Sequence, residues 1–128
     1  MSRFTLMVTQ SPFDTLAHQH AMDFLRAAVA NGHQIQRVFF YTDAVLCANA
    51  NLTPIQGQTP ISQQWAELAK NHGFPLQACI ANALRRGLPD ATEAKRYDLS
   101  NSLHPAFEQA GLGEMATAVS DSDRIIEF

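Results

Sequence analysis

The chain has 128 residues, of which 46% are hydrophobic and 16% charged, and its formal net charge is −3. This length suffices for one continuous core but not for two, which predicts one domain over residues 1–128. The negative charge and the absence of a Lys or Arg run exclude the usual basis of direct nucleic-acid binding. No apolar stretch approaches the roughly 18 residues of a membrane helix, and no signal-peptide cleavage site follows residues 1–8. We therefore expect a cytoplasmic protein without membrane contact.

The first half of the chain predicts a strand, a helix and a second strand. Residues 3–8, RFTLMV, form an apolar run rich in β-formers. Apolar residues then recur at helical spacing over Ala17–Ala28, and Gly32 is suited to the left-handed position that ends a helix. QIQRVFFY, residues 34–41, predicts the second strand, and residues 42–58 follow as a loop with one short turn.

A second helix is predicted to begin at Pro60, because proline is well tolerated at the first helical position. Its buried face is formed by Ile61, Trp65, Leu68 and Ala69. FPLQACI, residues 74–80, predicts a third strand, and residues 81–86 a short helix.

The last third of the chain is more polar. Residues 87–105 are predicted as an excursion with one helical turn, and residues 105–122 as one helix, or two helices broken at Gly111–Gly113. RIIEF, residues 124–128, predicts a closing strand.

The order β-α-β-α-β-α-β predicts an α/β fold, an open, mostly parallel sheet covered by helices on both faces. Reactive groups of such sheets gather outside the carboxyl ends of the strands. At that edge we expect Thr9–Asp14, Thr42–Asn49, the segment after Cys79 and the turn Tyr97–Ser102.

Cys79 is the main candidate for chemistry. It lies in PLQACIANALRRGLPD, residues 75–90, where the third strand gives way to a helix. Free N–H groups at a helix start favour the thiolate, which is the nucleophilic form. The small residues Ala78, Ala81 and Ala83 predict open access to the thiol. The alternative is that Cys79 is a small buried hydrophobe, as free cysteines commonly are.

Three further residues have two interpretations each. Cys47 either resolves an oxidised Cys79 or is incidental. Arg85 and Arg86 either steady an anionic sulfur or serve as helix-end cations and partner contacts.

The histidines and glycines predict no further site. His18 and His20 diverge on their helix and cannot share a metal ion. GLGEMA, residues 111–116, matches a dinucleotide-binding pattern but is expected to follow a helix, whereas that motif requires a preceding strand.

The chain resembles the DsrE/TusD family of sulfur-carrier proteins along nearly its whole length. The resemblance lies in MVT of the first strand, GHQIQRVFFY, the ANAN segment at 48–51, NHGFPLQACIANALRRGL around Cys79, GLGEMATA and the final DRIIEF. The segment around Cys79 is the most specific part.

The resemblance implies a three-layer α/β/α fold and a sulfurtransferase without metal or organic cofactor. It implies that Cys79 accepts sulfane sulfur from a TusA-like donor, holds it as a persulfide and passes it to a TusE-like acceptor, for 2-thiolation of the tRNA wobble uridine. It also implies assembly with TusB- and TusC-like subunits into a heterohexamer, a dimer of heterotrimers. Two alternatives remain open: a DsrE subunit of a sulfur-oxidation complex, and a noncatalytic scaffold subunit.

Overall fold

The computed structural model describes residues 1–128. The strands are β1 Arg3–Val8, β2 Gln34–Phe40, β3 Leu76–Cys79, β4 Phe107–Ala110 and β5 Arg124–Glu127. The helices are α1 Ala17–Ala30, α2 Ile61–His72, α3 Ile80–Arg85, α4 Ala91–Tyr97 and α5 Leu112–Asp121, and a 3-10 helix spans Thr42–Ala48. None of the helices is long and apolar enough to cross a bilayer.

The five strands form one parallel sheet in the order β4-β3-β2-β1-β5. The chain steps from β1 to β4 in one direction, and α5 then carries it back across the sheet to β5. Because such crossovers are right-handed, the earlier helices share one face and α5 crosses the other. The expected three-layer α/β/α fold is confirmed.

The core is divided by the sheet. The main cluster contains 22 buried residues and includes Leu25 of α1, Val38 of β2 and Trp65 of α2. The second cluster lies under α5 and consists of five residues: Phe39, Cys79, Ala110, Met115 and Ala118. Successive side chains of a strand point to opposite faces, so Ala78 belongs to the main cluster and Cys79 to the second.

One element was predicted wrongly. Residues 107–110 are the edge strand β4 and not part of a helix, and they pair in register with β3 from Leu76↔Phe107 to Cys79↔Ala110. Glu, Gln and Ala favour helices by propensity, but the hydrogen bonds available along β3 outweigh that weak preference. The sheet therefore has five strands where the sequence predicted four.

The other elements lie within a few residues of their predicted positions. Gly32 and Gly73 follow the ends of α1 and α2 with φ of 84° and 71°, the left-handed conformation that glycine adopts without strain. Pro60 is the residue before α2 and not its first residue. The predicted helical turn in the polar excursion is α4, which Asp90 caps by accepting a hydrogen bond from the Glu93 N–H.

Candidate functional site

Cys79 occupies the carboxyl edge of the sheet. It is the last residue of β3, it precedes α3 directly, and it lies opposite Ala110, the last residue of β4. Two of the segments expected at this edge, those that begin at Thr9 and Thr42, follow β1 and β2. The fourth segment at this edge was expected to be the turn Tyr97–Ser102, but it is the one that begins at Gly111, because β4 ends at Ala110.

A hydrogen-bond network ties the strand ends to α3. Thr42 has a φ of 51°, which is rare for a residue with a branched side chain. Its Oγ1 donates to the Thr9 carbonyl at 2.7 Å, and its N–H donates to Asn82 Oδ1 at 2.8 Å. Asn82 is buried in the first turn of α3. The network therefore fixes the helix that follows Cys79 against the ends of β1 and β2.

The expectation that the Cys79 thiol lies open is wrong for this chain. Cys79 is only 4% exposed and belongs to one buried cluster with Phe39, Met115 and Ala118, against which Tyr41 packs. The small residues Ala78 and Ala83 pack into the main cluster on the opposite face, so they leave no opening beside Cys79. Access to the thiol depends on the α5 side of the sheet.

The predicted position of Cys79 at a helix start is confirmed, but its side chain accepts no hydrogen bond from the N–H groups of α3. The thiol belongs to the cluster beneath α5, and α3 has only six residues. The first N–H groups of α3 therefore provide no direct cap for the thiol.

The structure does not bring the two cysteines together. Cys47 lies in the 3-10 helix, fully buried in the main cluster, whereas Cys79 belongs to the second cluster. Burial raises the pKa of the Cys47 thiol well above its usual value. This environment favours an inert core thiol over a resolving cysteine.

Arg85 and Arg86 have separate surroundings. Arg86 Nε forms an ion pair with Asp43 Oδ1 at 2.9 Å, and its Nη1 donates to the Asn82 carbonyl at 3.2 Å. Arg85 is the exposed last residue of α3. Both cations lie at the far end of α3 from Cys79, as helix-end cations do.

The histidines form no metal site, and no group of three His, Cys, Asp or Glu side chains could hold an ion. His18 is buried, and His20 points to solvent. His18 Nε2–H donates to the Gln10 carbonyl at 2.8 Å, and its Nδ1 accepts from Trp65 Nε1–H at 3.1 Å. Burial lowers the pKa of His18 to about 4, although the Gln10 contact acts in the opposite direction.

The prediction that GLGEMA, residues 111–116, follows a helix is wrong. The motif follows β4, so a strand, Gly111 and a helix do succeed one another. However, the Glu114 carboxylate accepts a hydrogen bond from the Gly111 N–H at 2.8 Å. A negative side chain at the start of α5 repels a pyrophosphate, so the dinucleotide interpretation stays excluded on this different ground.

Sequence reasoning missed two buried residues on the α5 side of the sheet, Met115 and Arg37. The sequence predicts Met115 within a long terminal helix and Arg37 within an apolar strand. Arg37 is in fact buried beneath α5. The one available signal was a charged residue in the middle of a strand otherwise suited to burial.

A sequence model of the DsrE/DsrF-like family matches residues 2–128. The chain is 39% identical over 126 residues to the "Sulfurtransferase TusD homolog" of Aliivibrio fischeri, covering 98% of this chain and 97% of that protein. It is also 39% identical over 127 residues to the "Sulfurtransferase TusD" of Cronobacter sakazakii, covering 98% and 99% of the two chains.

Among solved structures, the ychN protein from E. coli superposes with a TM-score of 0.70 at 22% identity, over 100% of both chains. At that identity the likeness concerns the fold alone. The sequence matches are stronger evidence, since they extend over nearly the whole chain. The chain belongs to the DsrE/DsrF-like family, and it resembles members of that family that are named TusD sulfurtransferases.

Proposed function

We propose that the chain is a sulfurtransferase of a sulfur relay and that Cys79 carries the sulfur as a persulfide. The observation that carries the proposal is the match, at 39% identity and over nearly full length, to two proteins named sulfurtransferase TusD. The position of Cys79 supports it, because strand ends of parallel sheets are where reactive groups collect. Cys47 is sealed in the main core and is unsuited to the same task.

The chemistry is an exchange at sulfur. The Cys79 thiolate attacks the terminal sulfur of a donor persulfide, a new S–S bond forms on Cys79, and the donor's own S–S bond breaks. The donor leaves as a thiolate, which takes up the proton that Cys79 lost. A thiol of the acceptor protein repeats the exchange and restores the Cys79 thiolate. Each step converts one persulfide and one thiolate into another persulfide and another thiolate, so the exchange needs no oxidant or reductant.

The proposed partners follow from the family resemblance and from the geometry. A TusA-like protein donates the sulfur and a TusE-like protein accepts it, and the chain works within a complex with TusB- and TusC-like subunits. Each exchange requires the partner's sulfur to touch Cys79 Sγ, although Cys79 is 4% exposed in the isolated chain. The cover over the thiol must therefore open during transfer. The proposed destination of the sulfur is the 2-thio group of the tRNA wobble uridine.

One observation favours the alternative of a noncatalytic scaffold subunit. Cys79 is packed among apolar side chains, as a core cysteine would be. The two interpretations differ in one respect: a scaffold cysteine takes up no sulfur in the native protein, whereas a carrier cysteine does.

The experiment is mass spectrometry of the chain after incubation with a cysteine desulfurase, cysteine and a TusA-like carrier. We expect the wild type and the Cys47→Ser variant to gain one sulfur atom on the Cys79 peptide, reversibly with dithiothreitol. The Cys79→Ser variant should gain none. Sulfur on Cys47, or uptake that persists in Cys79→Ser, would overturn the proposal.

A further inference from the structure

The cluster that contains Cys79 is formed by strand residues and by α5, and Tyr41, which follows β2, packs against it. Phe39 and Ala110 belong to β2 and β4, which flank β3 in the sheet, so neither can move away without breaking strand pairing. Met115 and Ala118 belong to α5, the one helix on this face. Tyr41 can change its rotamer without moving the sheet or α5, but it leaves Met115 in place. A motion that lifts Met115 and Ala118 off the cluster and preserves the sheet is a motion of α5.

Few apolar contacts hold α5 to the sheet. Only Met115 and Ala118 of its ten residues are buried. The apolar residues Leu112 and Val119 are 58% and 60% exposed, so they contribute little to packing. By contrast, α1 alone buries five residues against the other face. Elements with few buried apolar contacts open at lower free energy than the rest of a fold.

Arg37 provides the main polar contact beneath α5. Its Nη1 donates to the Glu114 carbonyl of α5 at 2.8 Å and to Gln77 Oε1 at 3.1 Å. The guanidinium is buried, yet no carboxylate lies within ion-pair distance of it. Arg37 thus holds α5 by a hydrogen bond to a backbone carbonyl near Met115.

The other end of α5 is attached separately. Thr5 Oγ1 and Ser122 Oγ share a hydrogen bond of 2.6 Å, just beyond the last residue of the helix. The end of α5 beside Cys79 is the first one, because Gly111 follows Ala110, the register partner of Cys79. Lifting of the first turns would uncover the thiol while the Ser122 end stays in place.

We infer that α5 is a lid whose local opening, and not unfolding of the whole chain, gives partner thiols access to Cys79. The inference rests on the proposed function for the identity of the reacting thiol. The inference predicts that the two thiols become exposed at different rates. Cys79 lies under a helix with few buried contacts, whereas Cys47 lies in the middle of the main core.

The two buried cysteines make the chain its own control. Iodoacetamide labelling of the native protein, followed by peptide mass spectrometry, reports how often each thiol is exposed. Cys47 requires opening of the main core, whereas Cys79 requires only displacement of α5. We expect Cys79 to be labelled at least about 10-fold faster than Cys47, since local opening costs less than global unfolding.

Two variants separate local from global opening. Ile35→Val weakens the main core and should accelerate Cys47 labelling about 2- to 10-fold while leaving Cys79 unchanged. Met115→Ala removes the contact beneath α5 and should accelerate both thiols by about 10-fold or more, because that contact is lost in either opening. Val119→Ala, on the exposed side of α5, is the matched control and should change neither rate.

The inference is overturned if Cys79 and Cys47 of the wild type are labelled at the same rate, or if Ile35→Val accelerates both thiols equally. The wild-type comparison stands even if Met115→Ala fails to fold. If Cys79 takes up sulfur but is labelled at the same rate as Cys47, the lid hypothesis is wrong and the proposed function stands. If Cys79 is labelled faster than Cys47 as expected but takes up no sulfur, the proposed function is wrong and the lid hypothesis stands.

Discussion

The indole Nε1–H of Trp65 donates a hydrogen bond to Nδ1 of His18 at 3.1 Å, and both side chains are buried against Phe40. The bond fixes the neutral tautomer of His18, whose Nε2–H then donates to the Gln10 carbonyl. It joins α1, α2 and the loop after β1 in one polar contact inside the main core. A protonated His18 would have no acceptor for its second N–H.

Stability should therefore fall in mild acid. His18 has a pKa of about 4 in the fold and an ordinary value of 6.5 when unfolded, so between these values the unfolded chain binds the extra proton. The stabilisation that depends on neutral His18 is fully present above pH 6.5. On lowering the pH to 4, the free energy of unfolding should decrease by about 3 kcal/mol, at about 1.4 kcal/mol per pH unit. His104, whose pKa burial also lowers, acts in the same direction.

Urea titrations at several pH values measure this loss. His18→Gln should flatten the profile between pH 6.5 and 4, whereas His20→Gln, at an exposed position on the same helix, should retain it. A profile of the same slope in wild type and His18→Gln would show that another group is responsible.

Trp65→Phe removes the donor to His18 and should destabilise the chain. The buried Nδ1 is left without a partner, which costs about 1 to 3 kcal/mol, and the smaller ring adds a cavity. Because Trp65 is the single tryptophan, unfolding of the variant must be followed by circular dichroism and not by fluorescence. Phe13→Leu, at an exposed aromatic residue, is the control and should change the urea midpoint little. An unchanged midpoint for Trp65→Phe would contradict the role given to this hydrogen bond.

Much of the fold follows from local sequence signals, and the site follows only in part. The apolar runs of β1 and β2 predict these strands from nearby residues, and Gly32 predicts the end of α1. The strand β4 is not readable in this way, because FEQA becomes a strand only through pairing with β3. The same error concealed the segment after Gly111 and hence the cover of Cys79. Burial of a thiol is a tertiary property, and the spacing of Cys79 on its own strand does not encode it.

Asn82→Ala should loosen the carboxyl edge of the sheet. The variant removes the acceptor of the half-buried Thr42 N–H, and loss of this hydrogen bond costs about 0.5 to 1.5 kcal/mol. Asn82→Asp keeps an acceptor oxygen and should retain more of the stability. Urea midpoints of the two variants check the expectation, and equal losses would show that packing, not the hydrogen bond, is what Asn82 supplies.

Glu114→Ala should weaken the start of α5 with a modest effect on the whole chain. It removes the carboxylate that accepts from the Gly111 N–H, and loss of a helix cap costs about 0.5 to 2 kcal/mol. If α5 covers the thiol, the same loss of free energy makes opening of α5 more frequent. Iodoacetamide labelling of Cys79 should then become about 2- to 30-fold faster. Glu114→Gln keeps an acceptor oxygen and is the matched control. No acceleration in Glu114→Ala would argue that the first turn of α5 does not limit access to Cys79.

The central claim is that Cys79 holds one transferable sulfur, and cyanide tests it most directly. Cyanide removes sulfane sulfur from a persulfide as thiocyanate, so the thiocyanate released per chain counts the loaded sites. After loading and removal of the donor, wild type and Cys47→Ser should release about one thiocyanate per chain by the exchange chemistry of persulfides. Cys79→Ser should release none. Equal release from Cys79→Ser and wild type would contradict the claim.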